Sequence, residues 1–132
     1  MATVLLVDDD ATLTGLLEYA LSREGFAVSI AHRGQDALHV VRSESVDLVI
    51  LDVNLPDANG FALLATIREF SAVPVVMLTG SAREETADRH GVAPDDYVIK
   101  PFSVNVFVNR IKGVLQRAGV AYHAHPERQY VG

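Results

Sequence analysis

Several residues able to do chemistry stand directly after runs of apolar ones. Val4–Val7 leads into Asp8-Asp9-Asp10, Leu48–Leu51 into Asp52, Val73–Leu78 into Thr79-Gly80, and Tyr97–Ile99 into Lys100-Pro101. If each run is a strand of an open parallel sheet, the residue that follows lies at its carboxyl end, where such sheets gather ligands beside the point at which strand order reverses. Acidic groups at neighbouring strand ends repel, which raises their proton affinity, and a divalent cation removes the conflict. Hard oxygen ligands with no Cys or His nearby select magnesium, which keeps several waters and takes one or two carboxylates. Taken singly, Asp10 is a helix cap, Thr79 a strand-end hydroxyl, Lys100 a solvated lysine and Pro101 a turn former. The signal lies in the four strand ends together.

Two alternating kinds of apolar pattern position these residues. Short β-rich runs at Val4–Val7, Phe26–Ile30, Leu48–Leu51, Val73–Leu78 and Tyr97–Ile99 are separated by segments of helical spacing. The first, third and fourth are apolar almost throughout, as strands covered on both faces are. Leu13, Leu16, Leu17, Ala20 and Leu21 form one helical face, with Asp10 placed as N-cap and Gly25 as stop. Gly34–Ser43 carries Ala37, Leu38 and Val41, and Gly60–Phe70 carries Phe61, Leu64 and Ile67. A last helix opens at Ser103 and presents Val104, Phe107, Val108, Ile111, Val114 and Leu115 on one side, with Phe102 in the core. The alternation predicts an α/β protein, a three-layer α/β/α sandwich around a five-stranded parallel sheet. From Ser81 to Gly91 there is no large apolar side chain, so a helix there is expected to be short and the least protected region in hydrogen exchange.

The chain of 132 residues holds one domain, and its 49% hydrophobic content is enough for an ordinary core. Without Cys there is no disulfide framework, thiolate zinc site or iron–sulfur cluster. Seventeen acidic against eleven basic residues give a net charge of −6, which disfavours direct nucleic-acid contact and anionic membranes. The start lacks the basic region and length of a signal peptide, and no apolar run is long enough to span a bilayer. A cytoplasmic protein is expected. There is no GxxxxGK loop for ATP. His123 and His125 stand two apart with no third ligand nearby, as solvent-exposed residues do.

Val7-Asp8-Asp9-Asp10, the stretch Leu51–Gly60 (Leu-Asp-Val-Asn-Leu-Pro-Asp-Ala-Asn-Gly), Met77-Leu78-Thr79-Gly80 and Asp95–Phe102 (Asp-Asp-Tyr-Val-Ile-Lys-Pro-Phe) together resemble the receiver domain of two-component response regulators, over residues 3 to about 117. The resemblance implies a flavodoxin-like, receiver-type sheet of order 2-1-3-4-5. It implies phosphorylation of Asp52 by a sensor histidine kinase or a phosphotransfer protein. Asp8 and Asp9 resemble the family's metal carboxylates, placed with Asp52 around Mg2+, and Asn54 resembles the residue that lends its backbone carbonyl to the ion. Thr79 and Lys100 are similar to the residues holding the phosphoryl oxygens, and Tyr97, with Thr79, to the switch. A cis bond before Pro101 is implied as well. These roles suit the chemistry: Asp52 is a carboxylate nucleophile, phosphoryl transfer asks for positioning and for cations at the equatorial oxygens, and Thr79 donates a hydroxyl bond beside a small Gly80.

The resemblance divides the chain into a receiver at residues 1–117 and a linker or C-terminal tail at 118–132, with a transcriptional output expected beyond it. It implies a possible homodimer through the family's fourth helix, fifth strand and fifth helix, on a face carrying Asp96, Arg110 and Lys112. Val106 stands there where the DNA-binding branch usually has Glu. The alternatives are a stand-alone phosphorelay receiver, an interaction module independent of phosphorylation, a flavodoxin-type carrier, and a phosphatase with its nucleophile and second Asp at Asp8 and Asp10. Three carboxylates after the first strand would repel the phosphate of FMN, which argues against the carrier.

Overall fold

The computed structural model describes residues 1–80 and 91–120. Strands β1 (Thr3–Val7), β2 (Ala27–Ala31), β3 (Leu48–Asp52), β4 (Val75–Thr79) and β5 (Asp96–Ile99) form one parallel sheet in the order β2-β1-β3-β4-β5, with helices α1 (Ala11–Arg23), α2 (Gly34–Ser43), α3 (Gly60–Arg68) and α4 (Val104–Arg117). This is the expected three-layer order. The segment around Ser81–Gly91, with its expected weak helix, lies outside the described residues except for Gly91, as do His123 and His125.

Strand residues alternate between two cores, because successive side chains point to opposite faces. Val4, Leu6, Leu48, Ile50, Val76 and Leu78 join Leu17 and Leu21 of α1 and Phe107 and Ile111 of α4 on one side. Leu5, Val7, Val49, Leu51, Val75 and Met77 join Ala37 of α2 and Phe61, Leu64 and Ile67 of α3 on the other. Burial on both faces makes the central strands read as continuous apolar runs.

Local chemistry sets the helix limits. Asp10 accepts from Thr12 N and Leu13 N to open α1, Asn59 caps α3, and Ser103 caps α4. Gly25, at φ 91°, ends the α1 turn in a conformation that side chains with a Cβ rarely adopt. Phe102 packs against the first core and stacks on Phe107 at 5.5 Å. Two sequence expectations need correction. Leu16, assigned to the inner face of α1, is 52% exposed, because Leu17, Ala20 and Leu21 already cover the strands. The third helix ends at Arg68 rather than Phe70.

Candidate functional site

Register places the chemistry. Val7 pairs with Leu51 across β1 and β3, so Asp8 and Asp52 leave neighbouring strands side by side at the point where strand order reverses. Asp52 pairs with Leu78, which brings Thr79 one residue beyond, and Thr79 pairs with Ile99, which brings Lys100 next. Asp8, Asp52 and Thr79 are buried, whereas Asp9 is exposed. Ligand oxygens of Asp8, Asp9 and Asp52 all lie within 4.8 Å of one another. Lys100 reaches back across β4, its Nζ 3.3 Å from Asp8 Oδ2 and 3.7 Å from Asp52 Oδ2. The Lys100–Pro101 peptide bond is cis.

Burial pushes the Asp52 carboxyl above its ordinary range, and the charges of Asp8 and Asp9 push it further; the Asn54 N–H and the Lys100 ammonium act in the opposite direction without cancelling the rise. The repulsion expected from the sequence is therefore present, with desolvation as the larger cause. Three carboxylates face one ammonium, and oxygen-only donors of this kind suit a hard divalent cation. Asn54 N donates to Asp52 Oδ1 at 3.2 Å. Gly60 N donates to Val53 O at 2.6 Å, and a Cβ on Gly60 would collide with the Asp52 backbone carbonyl. The loop carrying Asn54 is thus folded tightly over the end of β3, as only glycine allows.

Asp10 is excluded from the cluster by its use as the α1 cap: its Oδ1 takes two backbone bonds, at 3.0 and 3.1 Å. That removes the second carboxylate a phosphatase of the Asp8–Asp10 type requires. Tyr97 is half-buried against the second core. Arg110 Nη1 lies 2.9 Å from Asp96 Oδ1, and the cation that joins it is Arg117, 3.9 Å from Asp96 Oδ2. Lys112, expected on that face, instead pairs with the buried Glu24 at the end of α1. Two helical residues turn the side chain by roughly 200°, so Arg110 and Lys112 point to opposite sides of α4.

Sequence reasoning missed two residues in the turns that follow β2 and β3. His32 Nδ1 is 2.9 Å from the Asp8 carbonyl oxygen, although no His was expected nearby, and Asp57 accepts from Gly34 N and Gln35 N. Both join segments far apart in the chain, and no spacing pattern announces such bonds.

Comparison with known proteins adds an independent line. The family model of the response regulator receiver domain matches residues 4–112. The transcriptional regulatory protein CpxR of Escherichia coli (strain K12) is 43% identical over 121 residues, covering 89% of this chain and 51% of the relative. The TorCAD operon transcriptional regulatory protein TorR of the same strain is 35% identical over 129 residues, covering 96% and 55%. The chain thus spans about half the length of these curated relatives. A CheY-like response regulator receiver domain protein from Methanospirillum hungatei JF-1 superposes with a TM-score of 0.83 at 26% identity, covering 90% of this chain and 97% of that one.

Proposed function

The chain belongs to the response regulator receiver domain family, and from that premise we propose that Asp52 is its phosphoacceptor, taking a phosphoryl group from a histidine kinase or phosphotransfer protein. The observation that carries the reading is the convergence of Asp8, Asp9 and Asp52 on one point at the strand ends, with Lys100 as the cation beside them. An Asp52 carboxylate oxygen attacks the phosphorus in line. The P–O bond of an acyl phosphate forms as the P–N bond of the donor phosphohistidine breaks, and the imidazole leaves with the electron pair. Lys100 stabilises charge on the equatorial oxygens, and the Thr79 hydroxyl donates to one of them. Asp8, Asp9, Asp52 and the Asn54 carbonyl would hold Mg2+, which when bound supplies further positive charge to the phosphoryl oxygens. Assisting its own phosphorylation in this way makes the domain a signalling phosphoacceptor rather than an enzyme with turnover.

Residues 1–117 act as the receiver and 118–132 as a linker or C-terminal tail. Movement of the Thr79 hydroxyl toward the phosphoryl group, with Tyr97 filling the space vacated, biases a two-state surface toward the output. Transcriptional control is supported by the likeness to CpxR and TorR, both transcriptional regulatory proteins, and a cytoplasmic location belongs to the same reading. No described helix is long and apolar enough to cross a membrane. A homodimer would use the face of Asp96, Arg110 and Arg117 rather than Lys112, and this domain would make no direct nucleic-acid contact.

Acetyl phosphate with magnesium is expected to add one phosphoryl group, read by intact mass, and Asp52→Ala to add none. Equal incorporation in Asp52→Ala would overturn the assignment.

A further inference from the structure

Helix α2 begins without a cap of its own. Arg33 precedes its first turn and makes no side-chain capping bond, although the first turn of a helix leaves backbone N–H groups without intrahelical partners. Asp57, in the β3–α3 loop, supplies the acceptors: Gly34 N donates to Oδ1 at 2.7 Å and Gln35 N to Oδ2 at 3.1 Å. These two bonds hold the Asp57 carboxyl below the usual carboxylate range. The approach is close, since a Cβ on Gly34 would come within 3.2 Å of the Ala58 Cβ. The same turn is fastened at its other end, where His32 Nδ1 meets the Asp8 carbonyl oxygen at 2.9 Å. A carbonyl oxygen only accepts, so Nδ1 carries the hydrogen.

We infer that the turn from His32 to Gln35 is a strap joining the two loops that carry the acidic site, with His32 and Asp57 as positioning residues for the Mg2+ ligands. The inference rests on the function proposed above. One end of the strap holds the backbone of Asp8; the other holds the loop in which Asn54 is braced, by its N–H to Asp52 Oδ1 and by the Leu55 N to Ala58 O bond at 3.1 Å. Repulsion among Asp8, Asp9 and Asp52 pushes those loops apart. A connection anchored on both resists that push and keeps the oxygens within reach of one ion. The strap touches no ligand atom, so its contribution is to geometry and not to charge.

Titration of MgCl2 into the full chain, followed by backbone amide shifts, tests the strap in the wild type, Asp57→Ala, Asp57→Asn and His32→Ala, with thermal melts in chelator to show that each is folded at the titration temperature. Affinity is read from folded molecules, so a loss of stability alone does not move it. Asp57→Ala and His32→Ala are each expected to weaken Mg2+ binding about tenfold, the low end for groups that orient metal ligands. Asp57→Asn keeps one acceptor oxygen and loses the other, so one of the two bonds from Gly34 N and Gln35 N remains, and its affinity is expected to fall between wild type and Asp57→Ala. Wild-type affinity in Asp57→Ala overturns the strap and leaves the functional reading standing; absence of saturable binding by the wild type overturns both. Should Asp57→Ala not fold, His32→Ala decides by the same criterion.

Discussion

Aspartates mark both ends of this sheet and do different work at each. At the amino ends, Asp47 before β3 and Asp95 before β5 make the same two-bond ring with a neighbouring strand. Thr3 N donates to Asp47 Oδ2 at 2.8 Å while Asp47 N donates to Thr3 O at 2.9 Å; Val75 N donates to Asp95 Oδ2 at 2.7 Å while Asp95 N donates to Val75 O at 2.8 Å. Arg68 adds a guanidinium to Asp95 at 3.3 Å. Each of these carboxylates is occupied by the fold it holds together. At the carboxyl ends, Asp8, Asp9 and Asp52 converge on one another with a single lysine, and burial and mutual repulsion raise the Asp52 carboxyl. Backbone N–H groups reach both sets, since Asp10 N donates to Asp8 Oδ1 and Asn54 N to Asp52 Oδ1; the difference is that Asp47 and Asp95 bridge to a neighbouring strand while the register sets Asp8, Asp9 and Asp52 against their own kind.

The contrast breaks most sharply at the lysines. Lys100→Met removes the cation that faces Asp8 and Asp52, and the rate of phosphorylation by acetyl phosphate is expected to fall about 100-fold, as for loss of one preorganised charge-stabilising donor. Lys112→Met removes the partner of Glu24 and should lower the melting temperature with little change in that rate. Equal effects on phosphorylation would erase the distinction between the two cations.

A smaller effect separates the aspartates. Asp95→Ala leaves Val75 N without its charged side-chain acceptor and is expected to cost about 2 kcal/mol in chemical denaturation, the cost of stranding a buried donor. Phosphoryl incorporation should be retained in full. Loss of incorporation in a folded Asp95→Ala would show that the amino ends of the strands are part of the site.

The smallest expected effect concerns pH. A carboxyl raised by the fold favours its protonated form in the native state, so its stabilising contribution is present at low pH and lost as pH rises through the folded value. Without metal, Asp52→Asn should therefore be more stable than the wild type at neutral pH, and the gap should close as pH falls below that value. Saturating Mg2+ should reverse the order at neutral pH, since the carboxylate binds the ion and the amide offers a weaker ligand. A gap that widens on acidification would contradict the raised value.

Much of this was legible in the sequence because burial on both faces and helical spacing leave opposite signatures. Val4–Val7 and Leu48–Leu51 read as covered strands, Asp10 and Gly25 delimit α1, and the residue after each run lands at the carboxyl end by chain direction alone. Direction also separates Asp47 from Asp52, which flank one apolar run. Most of what escaped was set by tertiary geometry. Leu16 satisfies the helical pattern but faces solvent, because a helix on a sheet buries a narrower stripe than its apolar residues span. Lys112 and Arg110 stand two apart on α4 and point to opposite sides by helical rotation alone, which the expectation of one shared face left out; only their partners, Glu24 and Asp96, are set by the tertiary fold. His32 and Asp57 bond to backbone groups many residues away, and such bonds carry no periodicity.

What sets the two ends of the sheet apart is that the carboxylates at one end are open to a cation and those at the other are not. Mapping the amide shifts of the wild type as MgCl2 is titrated tests it directly, at a dissociation constant expected to be on the order of a millimolar. Shifts that saturate together at Asp8, Asp9, Asp10, Asp52 and Asn54, with Asp47, Thr3, Val75 and Asp95 unmoved, are the predicted result; shifts of equal size at both ends, or none that saturate at the carboxyl ends, would contradict it.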